Sequence, residues 1–586
     1  MTIDPQETIT RTQTTLVDLS YSLLRTKTFS VLVGFFVLSV LFDLVVLNLY
    51  PLSYGMDGPF YDIQIRSVAT TGFPSSGDPP LVYYLFYLFS VPLGSMMGIK
   101  VAMALIGSSL VFPAFLVAKS LVPPQQEVRG DVVGLLSAFL MVFNVYYLRM
   151  IEDFVQNLFG IVFVLWFVYV FSYWLANPHN SQKTAATGLV GLAAILTHLY
   201  AAALVVTLAT LGVVFYLLRR WRIEGSVGKR DLVVVAGGLV GGLVVVMLLV
   251  LLIPPLAQNF SKVLGFITDF WNDNPANITD DTNTFVVFIT APFVFGFLTL
   301  TRNIIESTEV SLVGDCKEKE LQRLFMSITV AFLAVIIFLL GSPIFEGSWR
   351  MRFILLAFVP ISLVSPLALL VVEDVIANVL EKRKHLQLAT HSIAALMVLA
   401  TLVSALTFVP TMGPTITEEQ YDELVRINEV VFGEQHLVSN EVFVAAAFGM
   451  NYWIQLVFDQ EAISPAQFEA EVNQTSEVTY YYLVTITQVA QPFNPPQSQP
   501  YSPFFPLGFE LLPQGGMEQG SEGQSGPVIK VGTALAFTAL VLGIGYQSPN
   551  QQPPGQQPPG DQPNLPPQIS GGEVVFRGQY FALVQI

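Results

Sequence analysis

The chain has 586 residues, of which 53% are hydrophobic and 12% charged, and its formal net charge is -16. Soluble domains carry about 25% charged residues, so this composition excludes a string of soluble domains and predicts a polytopic membrane protein. The acidic balance, with basic residues confined to short clusters beside apolar runs, argues against nucleic-acid binding. The single cysteine, Cys316, excludes an intramolecular disulfide and a cysteine-based metal cluster.

Residues 1–28 are polar and lack the features of a cleavable signal, so we expect a cytoplasmic N-terminal segment and a retained first span. A bilayer-spanning helix needs about 20 mostly apolar residues, and such runs recur through 29–409. Eleven spans are predicted, near residues 29–49, 97–121, 131–148, 157–176, 184–198, 199–218, 231–253, 284–301, 325–341, 353–372 and 388–409.

The run PPLVYYLFYLF at residues 79–89 is shorter than a span and rich in tyrosine. We expect it to lie flat or re-entrant on the outer surface of the membrane. Counting it as a span would reverse the orientation of every later span. The basic clusters, such as Arg219–Arg222 and Lys382–Lys384, would then no longer be concentrated on the inner side of the membrane. On the favoured topology, three candidate N-glycosylation sequons fall outside, at Asn259, Asn277 and Asn473.

Beyond the last predicted span the chain becomes acidic, and residues 410–527 predict a small extracytoplasmic α/β domain. Thr417 is placed to cap a helix, and VTYYYLVTITQV is typical of a strand. Residues 528–546 are long enough for a twelfth span, although their glycines and β-branched residues also suit a strand. A Gln/Pro-rich linker at 547–568 and a terminal β-hairpin at 569–586 complete the prediction.

Two predicted outer loops carry acidic residues that could do chemistry, at 50–96 and 149–156. Asp57 lies a few residues after the first span, where a carboxylate can reach a lipid head; the alternative is a solvated loop aspartate. Arg149, Glu152 and Asp153 cluster at another membrane exit and are costly to bury there. A simple Arg149–Asp153 helix pair at i,i+4 is the competing interpretation.

Several cations are candidates for binding a lipid phosphate. Arg350 and Arg352 lie where the positive-inside bias argues against them, so we expect a phosphate, a lipid headgroup or Glu346 to hold them. His198 lies at an outer turn and either contacts phosphate or serves as a hydrogen-bonded helix end. Asp43, inside the first span, is either a partner for one of these cations or a polar helix-packing residue.

The order of these features resembles the GT-C superfamily of membrane glycosyltransferases, particularly the branch with protein O-mannosyltransferases and lipid A aminoarabinose transferases. The resemblance covers about the first 370 residues and follows Asp57, the pairs Pro79-Pro80 and Tyr83-Tyr84, Arg149 with a nearby acid, GLAAILTHL and RFILLAFVP. It implies a GT-C-like fold of about 11 to 12 transmembrane helices. No WWDYG-like motif of the oligosaccharyltransferases is present, which argues against transfer of a whole glycan to asparagine.

The resemblance also implies roles for the candidate residues. Asp57 would be the catalytic base and Asp153 the second acid, with Glu152 as its competitor. The cations expected at the lipid phosphate are Arg352, Arg350, His198 and Arg149. His198 follows Thr197 where relatives often have a Thr-Lys pair.

The implied reaction is inverting transfer of a sugar from a polyprenyl (dolichyl-type) phosphate to a protein or lipid acceptor at the outer face of the cell membrane. No metal is required, but Asp57, Glu152 and Asp153 around one cation would suit Mg²⁺ or Mn²⁺. A noncatalytic GT-C-like scaffold that binds a partner is the alternative. A transporter with Asp43 as coupling site is a third, weakened by the lack of an internal repeat.

Overall fold

A computed structural model describes residues 27–224, 228–229, 233, 237, 291–312, 318–342, 353–371, 383–432, 442–446, 450–463, 479–485 and 573–585. Several predictions fall outside these residues. They are most of the predicted span 231–253, the start of 284–301, Arg350, Arg352, the three sequons, segment 528–546 and linker 547–568.

The first part of the chain is mostly helical in its described residues. Its helices are α1 Lys27–Leu47, α2 Gly58–Thr71, α3 Leu81–Leu93, α4 Ser95–Ser108, α5 Val111–Ser120, α6 Glu127–Val142, α7 Val145–Asp153, α8 Val155–Ala176, α9 Ser181–Thr197, α10 Leu199–Glu224, α11 Ala291–Leu312, α12 Glu318–Leu340, α13 Phe358–Val364 and α14 Arg383–Phe408.

Seven helical stretches among the described residues are long and apolar enough to cross a membrane. They are Lys27–Leu47, Ser95–Ser120, Val155–Ala176, Leu199–Arg222, Glu318–Leu340, Phe353–Val371 and Ser392–Thr411. An eighth is possible if α6 and α7, which are bent by 45° at their junction, form one broken span. The chain is therefore a polytopic α-helical membrane protein, as its composition predicts.

Two predicted spans differ from the observed helices. The predicted span 184–198 corresponds to α9, which has 17 residues and is shorter than the helices that qualify. The predicted span 284–301 corresponds in its described part to α11, which extends to Leu312 and carries an Arg302–Glu306 ion pair. The described part of α11 is not among the seven stretches that are long and apolar enough to cross a membrane.

The surface of the helical part fits a lipid environment. On α1, the side chains of Leu38, Leu41 and Val45 are 53%, 55% and 65% exposed. A row of large apolar side chains on one exposed helix face is unfavourable in water but matches the hydrocarbon core of a bilayer.

The predicted loop 50–96 is mostly helical. Helix α2 was not predicted, although it begins with proline in its first turn and ends at Gly72, which has a φ of 83°. Both are ordinary start and stop signals of a helix. Helix α3 has 13 residues and is too short to count as a span, in agreement with the prediction for PPLVYYLFYLF.

The C-terminal domain is a small α/β unit. Its described elements are α15 Glu418–Ile427, β1 Val442–Ala445, α16 Asn451–Phe458, β2 Glu461–Ile463, β3 Thr479–Thr485, β4 Glu573–Arg577 and β5 Phe581–Gln585. The strand order is β2-β1-β3-β5-β4; β1 pairs parallel with β2 and β3, and β5 pairs antiparallel with β3 and β4. Thr417 caps α15 through a capping box with Gln420, as expected.

The two parts of the molecule meet at the loop between α1 and α2. Leu52 of this loop is buried in the hydrophobic core of the C-terminal domain, together with Trp453. Helix α16 packs on α2, where the Arg66 guanidinium donates to the Leu456 carbonyl at 3.2 Å. This donation satisfies a carbonyl near the C-terminal end of α16. The C-terminal domain therefore covers the segment that carries Asp57.

Candidate functional site

Asp57 immediately precedes helix α2, at its N-cap position. Its backbone carbonyl accepts the Tyr61 N–H at 3.0 Å, but its carboxylate makes no capping hydrogen bond. The side chain is half-buried. A helix N-terminus stabilises a negative charge, so this position favours the ionised carboxylate without using it to cap the helix.

Arg149, Glu152 and Asp153 form a compact ion-pair cluster at the end of α7, which we call the latch. One guanidinium nitrogen of Arg149 lies 2.7 Å from Glu152 Oε2, and the other lies 2.6 Å from Asp153 Oδ2. Glu152 and Asp153 are 3% and 2% exposed. The predicted i,i+4 pair is therefore present, but it is buried and shared between two carboxylates, unlike a solvated surface pair.

The latch holds two distant backbone segments together. Asp153 Oδ1 accepts the Met56 N–H at 2.9 Å, and Glu152 Oε1 accepts the Gly413 N–H at 3.1 Å. Gly55, which precedes Met56, has a φ of 64°, and its N–H donates to the Gly413 carbonyl at 3.0 Å. A Cβ atom at Gly55 would collide with Asp153 Oδ1 and the Glu152 carbonyl. The latch thus fixes the backbone immediately before Asp57.

The charge of Asp57 acts on two tyrosines from different parts of the chain. Burial, and then the negative charge of Asp57, raises the pKa of Tyr61 well above its usual value. Burial followed by the same charge also raises the pKa of Tyr452, which belongs to α16. The centroid of the Phe60 ring lies 5.0 Å from that of the Tyr452 ring and 5.9 Å from that of the Tyr61 ring. The C-terminal domain therefore contributes a phenol to the surroundings of Asp57.

A hydrogen-bond network continues from this point to the start of α8. The Tyr83 hydroxyl donates to Asp78 Oδ2 at 3.2 Å and lies 3.3 Å from Ser76 Oγ. The Gln156 side-chain amide donates to the same hydroxyl, and the Gln156 backbone hydrogen-bonds to Tyr61. These contacts join α2, α3 and α8 beside Asp57.

His198 lies near the same end of α8. It ends α9, and its Nδ1 atom accepts the Tyr200 N–H at 3.2 Å, which agrees with a helix-end role. A Cβ atom at Gly160, one turn after Gln156, would lie 3.6 Å from the His198 Cβ. The Tyr200 ring stacks on His198 and contacts Phe353 at 5.6 Å. His198 therefore lies near the elements that surround Asp57, and its phosphate-binding role remains a prediction.

The other predicted site residues are not brought into this cluster by the described structure. Arg350 and Arg352 lie outside the described residues, so their roles also remain predictions. Asp43 is buried within α1, where Oδ2 accepts the hydroxyls of Tyr147 at 2.7 Å and Ser108 at 3.0 Å. These bonds tie α1 to α4 and α7, which supports the interpretation of Asp43 as a helix-packing residue.

The residues predicted to share a divalent cation do not fit that task. Three of the four carboxylate oxygens of Glu152 and Asp153 accept a hydrogen bond, from Arg149 or from the N–H groups of Met56 and Gly413, and the fourth, Asp153 Oδ2, lies 2.6 Å from an Arg149 nitrogen as an ion pair without a hydrogen bond. The Arg149 cation also occupies the position between the carboxylates that a metal ion would need. No group of three His, Cys, Asp or Glu side chains suited to a metal ion occurs in the described parts of the chain.

Tyr452, Gln156 and Tyr61 were missed by sequence reasoning. Gln156 follows the acidic residues of α7 closely enough to have been considered, because the start of the next helix would face the same space. No sequence pattern points to Tyr452, because its contact with Phe60 depends on the packing of α16 on α2, almost 400 residues apart in the sequence.

No protein-family model and no curated protein matches this sequence. Solved structures do match. The oligosaccharyltransferase AglB from the archaeon Archaeoglobus fulgidus, in complex with an inhibitory peptide and a dolichol-phosphate, is 14% identical with a TM-score of 0.49, over 78% of this chain and 69% of that chain. ArnT from Cupriavidus metallidurans bound to undecaprenyl phosphate is 13% identical with a TM-score of 0.47, over 96% of this chain and 98% of that chain.

The apo state of the same ArnT is 12% identical with a TM-score of 0.48. The likeness to these solved structures is distant.

Proposed function

We propose that this chain is a membrane glycosyltransferase that moves a sugar from a polyprenyl phosphate to a protein or lipid acceptor at the outer face of the membrane. The observation that carries the proposal is the position of Asp57. Its half-buried carboxylate lies at a helix N-terminus, on backbone fixed by the latch, where the membrane part and the C-terminal domain meet.

In this reaction Asp57 is the general base. It takes the proton from an acceptor hydroxyl while the hydroxyl oxygen attacks the anomeric carbon of the sugar. The bond from that carbon to the phosphate oxygen breaks with inversion, and the polyprenyl phosphate leaves with the bonding electrons. A cation or hydrogen-bond donor near the departing phosphate stabilises its developing charge; His198, whose Nδ1 accepts the Tyr200 N–H, is the described candidate for a donor through Nε2, beside the cations Arg350 and Arg352 of the sequence prediction.

Glu152 and Asp153 act as positioning residues in this proposal. Their oxygens are engaged by Arg149 and by two backbone N–H groups, so they hold the Asp57 segment against the Gly413 segment. A base must lie within hydrogen-bond reach of the proton that it removes. Fixing the backbone on the N-terminal side of Asp57 limits the positions that its carboxylate can take.

The test uses the full chain in proteoliposomes that contain polyprenyl-phosphate-linked hexoses and pentoses carrying a radiolabel, with extracted membrane proteins and lipids as acceptors. Asp57→Asn keeps the shape of the side chain but removes the base, so transfer should fall by about 10²- to 10⁴-fold. Asp422→Asn, which changes an exposed carboxylate of the C-terminal domain, is the matched control and should transfer like the unchanged chain.

A noncatalytic scaffold is the second candidate, favoured by one observation: the latch uses two of the three predicted acids for structural contacts. Under that alternative no labelled donor loses its sugar in the presence of the unchanged chain. Transfer by Asp57→Asn at the rate of the unchanged chain would contradict the assigned base while leaving a transferase in place.

A further inference from the structure

We propose that Lys100 is a positioning residue for Asp57. The inference rests on the proposed function, because Lys100 acts on transfer only by holding the backbone that leads to the base. Helix α1 ends at Leu47 and α2 begins directly after Asp57, and we call residues 48–56 between them the connector. The latch holds the end of the connector next to Asp57, and Lys100 of α4 holds the end next to α1.

The ammonium group of Lys100 binds the backbone of the connector. Its Nζ atom donates to the Tyr50 carbonyl at 2.7 Å and to the Pro51 carbonyl at 3.2 Å. It also lies 5.7 Å from the centroid of the Tyr54 ring. The Tyr54 hydroxyl in turn donates to the Val46 carbonyl, in the last turn of α1, at 2.5 Å. Lys100 is therefore joined to the connector at several points, and Tyr54 ties the connector back to α1.

Lys100 has no carboxylate partner in the described parts of the chain. The residue is 3% exposed, and it belongs to none of the ion pairs found there. A buried charge is costly unless it is paired or well hydrogen-bonded. Partial negative charge at the C-terminal end of a helix and the face of an aromatic ring both favour a nearby cation. Backbone carbonyls and the Tyr54 ring therefore replace a counter-ion, which suits a residue that holds backbone.

Two anchors on different helices fix the connector more firmly than one. The latch, at the end of α7, binds the Met56 N–H, and this anchor alone would leave the rest of the connector able to pivot. Lys100 binds the connector from α4, nearer to α1. Together the anchors set both the position and the direction of the backbone before Asp57. A displacement of about 1 Å can reduce a catalytic rate by about 10²-fold, so the second anchor matters for a base.

The experiment measures steady-state transfer and lipid binding by Lys100→Met in the full chain. Methionine keeps an apolar stem of similar length but removes the ammonium group. We expect kcat to fall by about 10- to 100-fold because the base is displaced, while KM for the labelled donor lipid changes by less than about twofold. Binding of the bare polyprenyl phosphate should stay unchanged. Lys100→Arg keeps a positive charge and N–H donors, and it should recover part of the lost kcat.

Lys119→Met is the matched control. Lys119 lies at the opposite end of the same membrane span, Ser95–Ser120, and forms an ion pair with Asp131. This variant removes the same charge away from the connector, so its transfer should equal that of the unchanged chain. Lys100→Gln, which keeps an N–H donor without the charge, takes the place of Lys100→Met if the methionine variant does not fold.

Amide hydrogen exchange tests the anchor without relying on transfer. In Lys100→Met the amides of the connector should exchange faster than in the unchanged chain, because the connector has lost one of its two anchors. The amides of α15, in the C-terminal domain, should exchange at the same rate in both chains. Faster exchange in all elements alike would mean that Lys100 supports the whole fold, and this result would overturn a positioning role.

The remaining outcomes also decide the role of Lys100. Faster exchange confined to the connector, together with a lower kcat and an unchanged KM, supports it. Unchanged exchange in the connector or an unchanged kcat overturns it, as does weaker binding of the bare polyprenyl phosphate, which would mean that Lys100 contacts the phosphate itself. The proposed function fails separately, when the unchanged chain transfers no sugar, and hydrogen exchange then still shows whether Lys100 anchors the connector.

Discussion

Asp57 and the Glu152–Asp153 pair place the same chemical group at the same junction, but in different surroundings. The pair is 3% and 2% exposed, three of its four oxygens accept hydrogen bonds, and the fourth forms an ion pair with Arg149. Asp57 is half-buried and leaves its helix uncapped. Burial beside a shared cation suits a carboxylate to hold structure, whereas a half-buried carboxylate at a helix N-terminus remains accessible to a ligand.

The difference also shows how the membrane part and the C-terminal domain cooperate. The latch binds backbone N–H groups on both sides of the junction, at Met56 and at Gly413. Asp57 follows Met56 directly, and its charge, after burial, raises the pKa of Tyr452 in the C-terminal domain. We infer that the latch sets the distance between the carboxylate and the domain that covers it.

Removing the latch cation should have the largest effect on stability. Arg149→Met leaves two buried carboxylates without their shared cation, and we expect the free energy of unfolding to fall by about 3–5 kcal/mol. Denaturant unfolding of the purified chain in detergent measures this change. Restoring much of the loss with Glu152→Gln and Asp153→Asn in the same chain would show that uncompensated charge is its cause.

Arg302→Met is the control for Arg149→Met. Arg302 and Glu306 also form an i,i+4 pair, but their side chains are 67% and 49% exposed. Exposed pairs at this spacing contribute no more than about 0.5 kcal/mol. Equal losses in the two variants would contradict the distinction between a buried latch and a surface pair.

Gly55→Ala should have the next largest effect, because it acts on the backbone between the latch and Asp57. The left-handed backbone alone costs a residue with a side chain about 1–2 kcal/mol, and the new Cβ would also meet Asp153 Oδ1 and the Glu152 carbonyl. We expect the variant to lose stability, measured by denaturant unfolding, and sugar transfer, measured with the labelled donors.

Gly72→Ala separates these two causes. Gly72 also has a positive φ, 83°, but a Cβ atom there would meet nothing within 4 Å. It should therefore show the backbone cost alone and keep its transfer activity. If the two alanine variants lose the same stability and activity, close packing of Gly55 against the latch is not important.

Local chemistry made part of this arrangement predictable. The first span was predicted at 29–49 and is observed at Lys27–Leu47, because a bilayer demands a long apolar run that hydropathy detects directly. The ion pair between Arg149 and Asp153 follows from i,i+4 spacing, and the hydrogen bond within the His198–Tyr200 turn is equally local.

The contacts that assemble the site could not be predicted in this way. Glu152 meets Gly413 across 261 positions of sequence, and Arg66 meets Leu456 across 390. Leu52 reads as part of a polar loop in the sequence, yet it is buried in the core of a domain that begins more than 350 residues later. Helix periodicity carries information over a few turns, whereas these contacts depend on how whole elements pack.

Adding or removing a metal ion should have the smallest effect on transfer and stability. This experiment tests whether the latch and a metal site exclude each other. Because the Arg149 guanidinium lies between Glu152 and Asp153 and backbone N–H groups bind their other oxygens, we expect EDTA to change transfer by less than about twofold, and millimolar Mn²⁺ to leave the melting temperature unchanged. In Arg149→Met the two carboxylates lose their cation, and oxygen ligands with net negative charge attract Mn²⁺. Mn²⁺ should therefore raise the melting temperature of Arg149→Met and leave that of Arg302→Met unchanged.

The contradicting result is stabilisation of the unchanged chain by Mn²⁺ that EDTA reverses. It would mean that Glu152 and Asp153 can exchange the Arg149 guanidinium for a metal ion. The contrast between a structural pair and a reactive Asp57 would then no longer hold.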